Sequence, residues 1–351
     1  MNSLTRPDLD AIPSYVPGRT VPGAIKLASN EVPYGPLPGV PEAIAEAVAL
    51  SHRYPDLAAV ALREKLAGRL GVDPARVATG CGSVALTEHL ARATCVRDED
   101  EIIYAWRSFE AYPIIAQSTG AVSVRVPNRG DHSHDLAAMA AALTPRTRLV
   151  FVCNPNNPTG TTVRKAELDA FIDAVPETTL VILDEAYHEF VTDPEVPDGL
   201  VTYGDRPNIV VLRTFSKAWG MAGLRIGYLI GTAAVADAVR KVTTPFSSSV
   251  LAQAAALAAL DAEPEMRRRA ALVVTERERV QAAVRKLLPE VPDTQSNFVW
   301  LPLRDKANEF AAACEQQRVI VRPFQGDGVR VTIGTPEEND AFLAVAEEAL
   351  G

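Results

Sequence analysis

Residues 148–187 read RLVFVCNPNNPTGTTVRKAELDAFIDAVPETTLVILDEAY, and this stretch decides the fold. Arg148–Cys153 is a short β-branched and aromatic run of the length of a buried strand. Two Asn-Pro pairs and a Thr-Gly follow it. Proline locks φ and asparagine tolerates turn geometry, so the chain turns rigidly there. Lys165–Ala174 carries a helical pattern, and Thr179–Leu183 is a second apolar run. Strand, helix and strand in this order predict a βαβ unit with parallel strands.

The same alternation extends outward. Helices are predicted at Pro41–Leu50, Asp56–Leu70, Val84–Ala93, Ala111–Ser118 and Leu136–Leu143. Between and after them, strands are predicted at Val77–Thr79, Glu101–Tyr104, Val122–Val126, Asn208–Thr214 and Leu224–Ile230. Downstream, Ser249–Arg285 reads as one or two long helices. Strands at Asn297–Leu303, Val319–Arg322 and Val329–Ile333 follow, with helices at Lys306–Gln316 and Pro336–Leu350. The fold class is therefore α/β, a large domain with a mostly parallel central sheet plus a smaller α+β domain. The first forty residues are rich in proline and glycine, and read as an arm lying on a surface rather than as a packed element.

Composition narrows the function. The chain has 351 residues, 47% apolar and 23% charged, enough for a large core. A net charge of −9 argues against a nucleic-acid surface. The apolar runs fall far short of the ~20 residues that span a bilayer, and the N-terminus lacks the apolar core of a signal peptide. The four cysteines are scattered without CxxC spacing. Free thiols in a reducing cytoplasm are expected, with no disulfide framework and no metal site.

Three segments place polar residues at strand ends, where open α/β sheets bind ligands. Asn154-Pro155-Asn156-Asn157-Pro158 presents side-chain amides rigidly after the first strand. Asp184 ends a fully apolar strand, where a carboxylate is costly to bury unless it meets a cation; alone it equally reads as a helix cap. Thr214-Phe215-Ser216-Lys217 follows the run Ile209–Leu212, with Arg225 further on. Burial at that place depresses a lysine pKa and makes the amine a nucleophile. Two hydroxyls and a guanidinium beside it suit a phosphate monoester. Gly80-Cys81-Gly82-Ser83 opens a helix, as an anion site or as a plain tight turn.

The ordered set NPNNPTG, DEAY and TFSKAWGMAGLRIG resembles the fold-type I pyridoxal-phosphate enzymes, and among them the class I/II aminotransferases. The resemblance runs from Leu27 to the C-terminus. It implies pyridoxal 5′-phosphate as cofactor, with Lys217 as the Schiff-base lysine and general acid/base. Asp184 would hold the ring nitrogen protonated, and Asn157 and Tyr187 would bond the ring oxygen. The phosphate would rest on Thr214, Ser216, Arg225 and the backbone of Ser83 and Val84, with Phe109 stacked on the ring. Tyr54 would reach the phosphate of a neighbouring subunit, which makes the enzyme a homodimer with shared sites. Arg330 would take the substrate α-carboxylate, with Arg322 beside it, and the arm around Tyr15 and Asn30 would close over the substrate side chain. The implied division is an arm at 1–40 joining the small domain, a large cofactor-binding domain at 41–244 and a small domain at 245–351.

Within the family the chain resembles both the histidinol-phosphate and the aromatic amino acid aminotransferases. Leu27–Pro36 and Arg322-Pro323-Phe324 look more like the aromatic (phenylalanine) branch, since Phe324 adds apolar surface near the substrate. The expected activity is ping-pong transamination of phenylalanine, tyrosine and tryptophan with a 2-oxo acid. The alternatives are a histidinol-phosphate aminotransferase and a decarboxylase on the same scaffold.

Overall fold

The computed structural model describes Leu4, Arg6, Asp10 and residues 18–351. Tyr15 lies outside the described residues. In chain order the strands are β1 (Ile25–Lys26), β2 (Val77–Gly80), β3 (Glu101–Trp106), β4 (Val122–Pro127), β5 (Thr147–Cys153) and β6 (Leu180–Asp184). They continue with β7 (Ile209–Thr214), β8 (Gly227–Ile230), β9 (Phe298–Leu301), β10 (Val319–Ile320), β11 (Arg322–Phe324) and β12 (Gly328–Thr332).

A seven-stranded sheet has the order β2-β8-β7-β6-β5-β3-β4. Its strands are parallel except β8, which pairs antiparallel with both β2 and β7. The sheet is covered on both faces, which is why its strands read as unbroken apolar runs. Side chains alternate between the faces. Val150, Val152, Val181, Leu183 and Val211 join one hydrophobic cluster, while Leu149, Phe151, Ile182, Val210 and Leu212 join the other. Helices Lys165–Ala174, Gly82–Thr94 and Ala111–Thr119 supply part of the cover.

The C-terminal part builds an antiparallel sheet β11-β12-β9 with the helix Glu263–Leu287 packed on β9, while the helix Val250–Asp261 packs on the helix Val40–Val48. Within the longer helix Arg277 is buried, and donates to the Phe190 carbonyl at 2.8 Å and that of Ser296 at 3.3 Å. One buried cation thus ties the helix to the loop after β6.

Two helices, Gly199–Tyr203 and Ala233–Val242, were not expected, and four expected elements differ. The arm is not merely laid on a surface: β1 pairs parallel with β10, and Leu27, Ala28 and Asn30 are buried. The helix expected from Asp56 starts at Val60, because the Asp56 carboxylate accepts from the backbone N–H groups of Ala58 and Val60. The strand expected from Leu224 begins at Gly227, after a short 3₁₀ turn at Ala222–Leu224 and a left-handed Arg225. Val319–Arg322, expected as one strand, divides at Val321: β10 pairs with β1, and β11 with β12.

Candidate active site

The parallel strands, with β2, end on one side of the sheet, and a cavity of about 230 Å³ opens there. The segments leaving five strand ends line it: Ser83 and Val84 after β2, Phe109 after β3, Asn157 after β5, Asp184 and Tyr187 at β6, and Thr214, Ser216 and Lys217 at β7. Asn30, Arg225, Arg322 and Arg330 complete it. Of the residues singled out in the sequence, Tyr54 stands apart. It is 81% exposed, with its ring stacked on Phe246 at 4.4 Å between centroids.

At one end the cavity is made for an anion. Helix Gly82–Thr94 begins there with no side chain capping it, so its first N–H groups point to the space. Gly82 has φ of 80°, and a Cβ there would lie 2.5 Å from Arg225 Nη2. Only glycine lets the guanidinium come this close to the helix start. Arg225 Nη1 donates to the Ala222 carbonyl at 2.8 Å and to Ser216 Oγ at 3.4 Å. The Thr214 hydroxyl oxygen accepts from the Ser216 N–H at 3.1 Å, which leaves its own proton to give.

At the base, the buried Asp184 accepts from Tyr112 Oη at 2.7 Å on one oxygen and from the Ala186 N–H at 3.3 Å on the other. Burial pushes its carboxyl up to about 6 despite these bonds. A carboxylate so placed would be matched by a cationic N–H donor of a bound ligand.

Lys217 Nζ donates to the Ser29 carbonyl at 3.2 Å and lies 5.8 Å from the centre of the Tyr187 ring. Burial, then the charge of Arg330, lowers its ammonium to about 7. Tyr187 Oη accepts from Asn30 Nδ2 at 2.9 Å, and burial pushes its phenol up. Asn30 itself sits at φ 55°, a left-handed conformation that asparagine tolerates. Arg330 on β12 donates through Nη1 to Asn157 Oδ1 at 2.6 Å and through Nη2 to the Ala28 carbonyl at 2.8 Å. Arg322 Nη2 donates to Glu110 Oε2 at 3.0 Å.

Three contributors carried no signal in the sequence: Tyr112, Glu110 and the Ser29 carbonyl. Tyr112 and Glu110 sit at the start of helix Ala111–Thr119, in ordinary helix composition. Their partners Asp184 and Arg322 are 72 and 212 residues away. A backbone carbonyl leaves no trace in a sequence at all.

The donor set fits pyridoxal phosphate. It has an anion cradle that a Cβ at Gly82 would fill, a buried carboxylate for a ring N–H, an amine of lowered pKa, and an amide with a phenol for a ring oxygen.

The chain matches the family of class I and II aminotransferases over residues 22–345, and it belongs to that family. It is 56% identical over 346 residues to a Streptomyces avermitilis protein named aromatic amino acid aminotransferase, covering 97% of this chain and 96% of that one. A Thermobifida fusca protein of the same name is 57% identical over 345 residues, with the same shares covered. Among solved structures, the histidinol-phosphate aminotransferase of Sinorhizobium meliloti, in complex with pyridoxal-5′-phosphate, has a TM-score of 0.87. It is 28% identical, and 99% of each chain is covered.

Proposed function

We propose that the chain is a pyridoxal-phosphate-dependent aminotransferase that transfers the amino group of aromatic amino acids to a 2-oxo acid. The observation that carries the aromatic reading is Phe324, buried against Trp300 and lining the cavity next to Arg322 and Arg330. The names and 56–57% identity of the two relatives support it. The histidinol-phosphate reading has the likeness to the Sinorhizobium meliloti structure in its favour, at 28% identity. A decarboxylase would use the same lysine and aspartate, and no cavity residue favours it.

In this reading Thr214, Ser216, Arg225 and the N–H groups of Ser83 and Val84 would hold the cofactor phosphate, with Asn157 and Tyr187 on the ring oxygen and Phe109 against the ring. Pyridoxal phosphate, when bound, supplies a carbonyl that condenses with amines and a ring that accepts electrons from the substrate Cα. Asp184 would keep a proton on the ring nitrogen, and Tyr112 holds that carboxylate in place. Arg330 grips the α-carboxylate as a planar fork, which presents the Cα–H to Lys217. With its ammonium lowered to about 7, Lys217 is neutral in good part at neutral pH and can take that proton. In the return half of the cycle Nζ gives a proton back to Cα of the 2-oxo acid's product. Asn30 and its neighbours cover the cavity from the arm side and exclude water.

The reading includes a cytoplasmic homodimer with shared sites, in which Tyr54 reaches the partner's phosphate. The exposed Tyr54, together with Leu50 and Leu57 at 56% and 62% exposure, supports a covered face there. The four unpaired cysteines support a reducing compartment. The domain division at about residues 40 and 244 belongs to the same reading. All seven strands of the large sheet fall between those bounds.

The test is an acceptor panel on one purified sample: phenylpyruvate, 4-hydroxyphenylpyruvate and imidazole-acetol phosphate. The expected result is a kcat/KM for phenylpyruvate at least tenfold above that for imidazole-acetol phosphate. The reverse order assigns the chain to the histidinol-phosphate branch.

A further inference from the structure

Arg107 and Asp327 stand 220 residues apart and form an ion pair, in which Arg107 Nε and Nη2 donate to Asp327 Oδ2 at 2.8 and 2.5 Å. Neither residue is among those that line the cavity, but each stands close in the chain to one that does. Arg107 comes two residues before Phe109, and Asp327 three after Phe324. The two ends of the pair are anchored differently. The Arg107 carbonyl accepts from Asn128 Nδ2 at 2.8 Å and from Asn156 Nδ2 at 3.1 Å, so the segments leaving β4 and β5 hold its main chain. The neighbouring Ser108 Oγ donates to Asn156 Oδ1 at 2.7 Å. Asp327 closes the turn between β11 and β12, where its N–H donates to the Phe324 carbonyl at 3.0 Å. Among the described residues β11 is an edge strand of three residues paired only with β12, and Pro323 at its centre has no N–H to give. Phe324 thus rides on the less firmly laddered strand. The Arg107 guanidinium meets that strand twice: through Asp327, and through its carbon, 5.5 Å from the Phe324 ring centre.

We propose that Arg107 and Asp327 are positioning residues that fix Phe324 relative to Phe109, and so set the cavity's preference for a ring over a branched aliphatic side chain. The inference rests on the reading of Phe324 as the apolar surface that receives an aromatic side chain. A ring gains from apolar contact only where its neighbours stand within van der Waals reach, and a gap of roughly 0.5–1 Å already forfeits about a quarter to a half of each contact. A branched aliphatic side chain offers less surface to Phe324 and depends less on where that ring stands. The pair is partly open to solvent, with 21% and 39% of the two side chains exposed. An ion pair so exposed adds little to the stability of the fold. Its loss therefore leaves the protein folded and acts on the placement of Phe324.

Calorimetric dissociation constants on the holoenzyme for two unreactive acids, 3-phenylpropionate and 4-methylpentanoate, read this preference. Wild type is expected to bind the first at least tenfold more tightly. In Asp327→Asn that ratio should fall at least threefold through weaker binding of 3-phenylpropionate, while 4-methylpentanoate stays within twofold of wild type. A smaller fall, or an equal loss for both acids, overturns the proposal. Arg107→Gln reaches the same readout from the other side of the pair and should lower the ratio at least as far. Asp327→Asn introduced into Arg107→Gln should then change the ratio less than twofold, since the partner is already gone. A change of twofold or more means that the two residues act separately, and also overturns the proposal. The underlying reading fails by a different result. A wild type that falls short of its tenfold preference overturns the aromatic reading and the proposal together, whereas a preference that survives both substitutions overturns the proposal alone.

Discussion

Asp184 is buried, ends an apolar strand, and among the described residues its carboxylate takes bonds only from a tyrosine hydroxyl and one backbone N–H. In the cofactor-free protein this arrangement works against stability. Burial raises its pKa from 3.8 to about 6, so the folded state binds the extra proton in that range. The carboxylate therefore costs stability above about pH 6, by about 3 kcal/mol for two pKa units, and the cost disappears below about pH 4. Cofactor-free Asp184→Asn should accordingly melt above cofactor-free wild type at pH 8, with the gap closing as the pH falls to 4. Scanning calorimetry across that range checks it, and a gap independent of pH contradicts the assignment of the cost to this charge. At this scale Asp184 and Lys217 were legible in the sequence because charged groups at or just past the end of apolar runs are expensive to bury without a purpose, and Arg225 because its guanidinium joins the hydroxyls of Thr214 and Ser216 as a donor set for a phosphate. Tyr112 and Glu110 were not. Their helix position has no special spacing, and only tertiary contact gives them a role.

At the scale of elements, the legible parts are those whose ends are set locally. Lys165–Ala174 and Pro336–Leu350 form as read. The second starts on a capping box, in which Thr335 Oγ1 accepts from the Glu338 N–H and Glu338 Oε2 accepts from the Thr335 N–H. The illegible parts depend on partners far off in the chain. Residues 25–30 look like loose arm, yet β10 recruits them: Ile25 N–H donates to the Arg318 carbonyl at 2.9 Å and Leu27 N–H to that of Ile320 at 2.8 Å. That pairing delivers Ser29 and Asn30 to Lys217 and Tyr187. The junction of β2 with helix Gly82–Thr94 gives a sharper test. Gly82→Ala puts a methyl group into a left-handed residue and against the Arg225 guanidinium. We expect at least a tenfold loss of affinity for pyridoxal phosphate, and a much smaller loss for pyridoxal, which lacks the phosphate. Titration of the cofactor-free protein with both compounds reads the ratio. Equal losses would mean that the cradle does not serve the phosphate.

For the whole molecule, the question is whether one chain makes a complete site. Tyr54 lies outside the cavity of its own chain, in an exposed stack with Phe246. If it serves the partner's phosphate, Lys217→Ala and Tyr54→Phe subunits form heterodimers in which one site carries both lesions and the other neither. Mixed subunits should then regain activity above either parent, towards half the wild-type value per dimer. No recovery despite demonstrated subunit exchange would return Tyr54 to its own chain or to no role. The large sheet and its cavity were legible at this scale because the strand–helix alternation repeats, and parallel strands gather their C-terminal ends on one side. The exposed stack of Tyr54 on Phe246 carries no pattern in the sequence, and its proposed role waits on the mixing experiment.

Lys217 moving the Cα proton of an aromatic amino acid is the central step of the proposed reaction, and hydrogen exchange reads that step directly. L-phenylalanine is incubated in D₂O with the holoenzyme and a trace of phenylpyruvate, and the Cα–H signal is followed by NMR. Wild type should replace that hydrogen by deuterium at a rate comparable to turnover, while Lys217→Ala, with cofactor bound, should be slower by at least a thousandfold. Exchange in the variant at the wild-type rate, or none on phenylalanine in wild type, would contradict it.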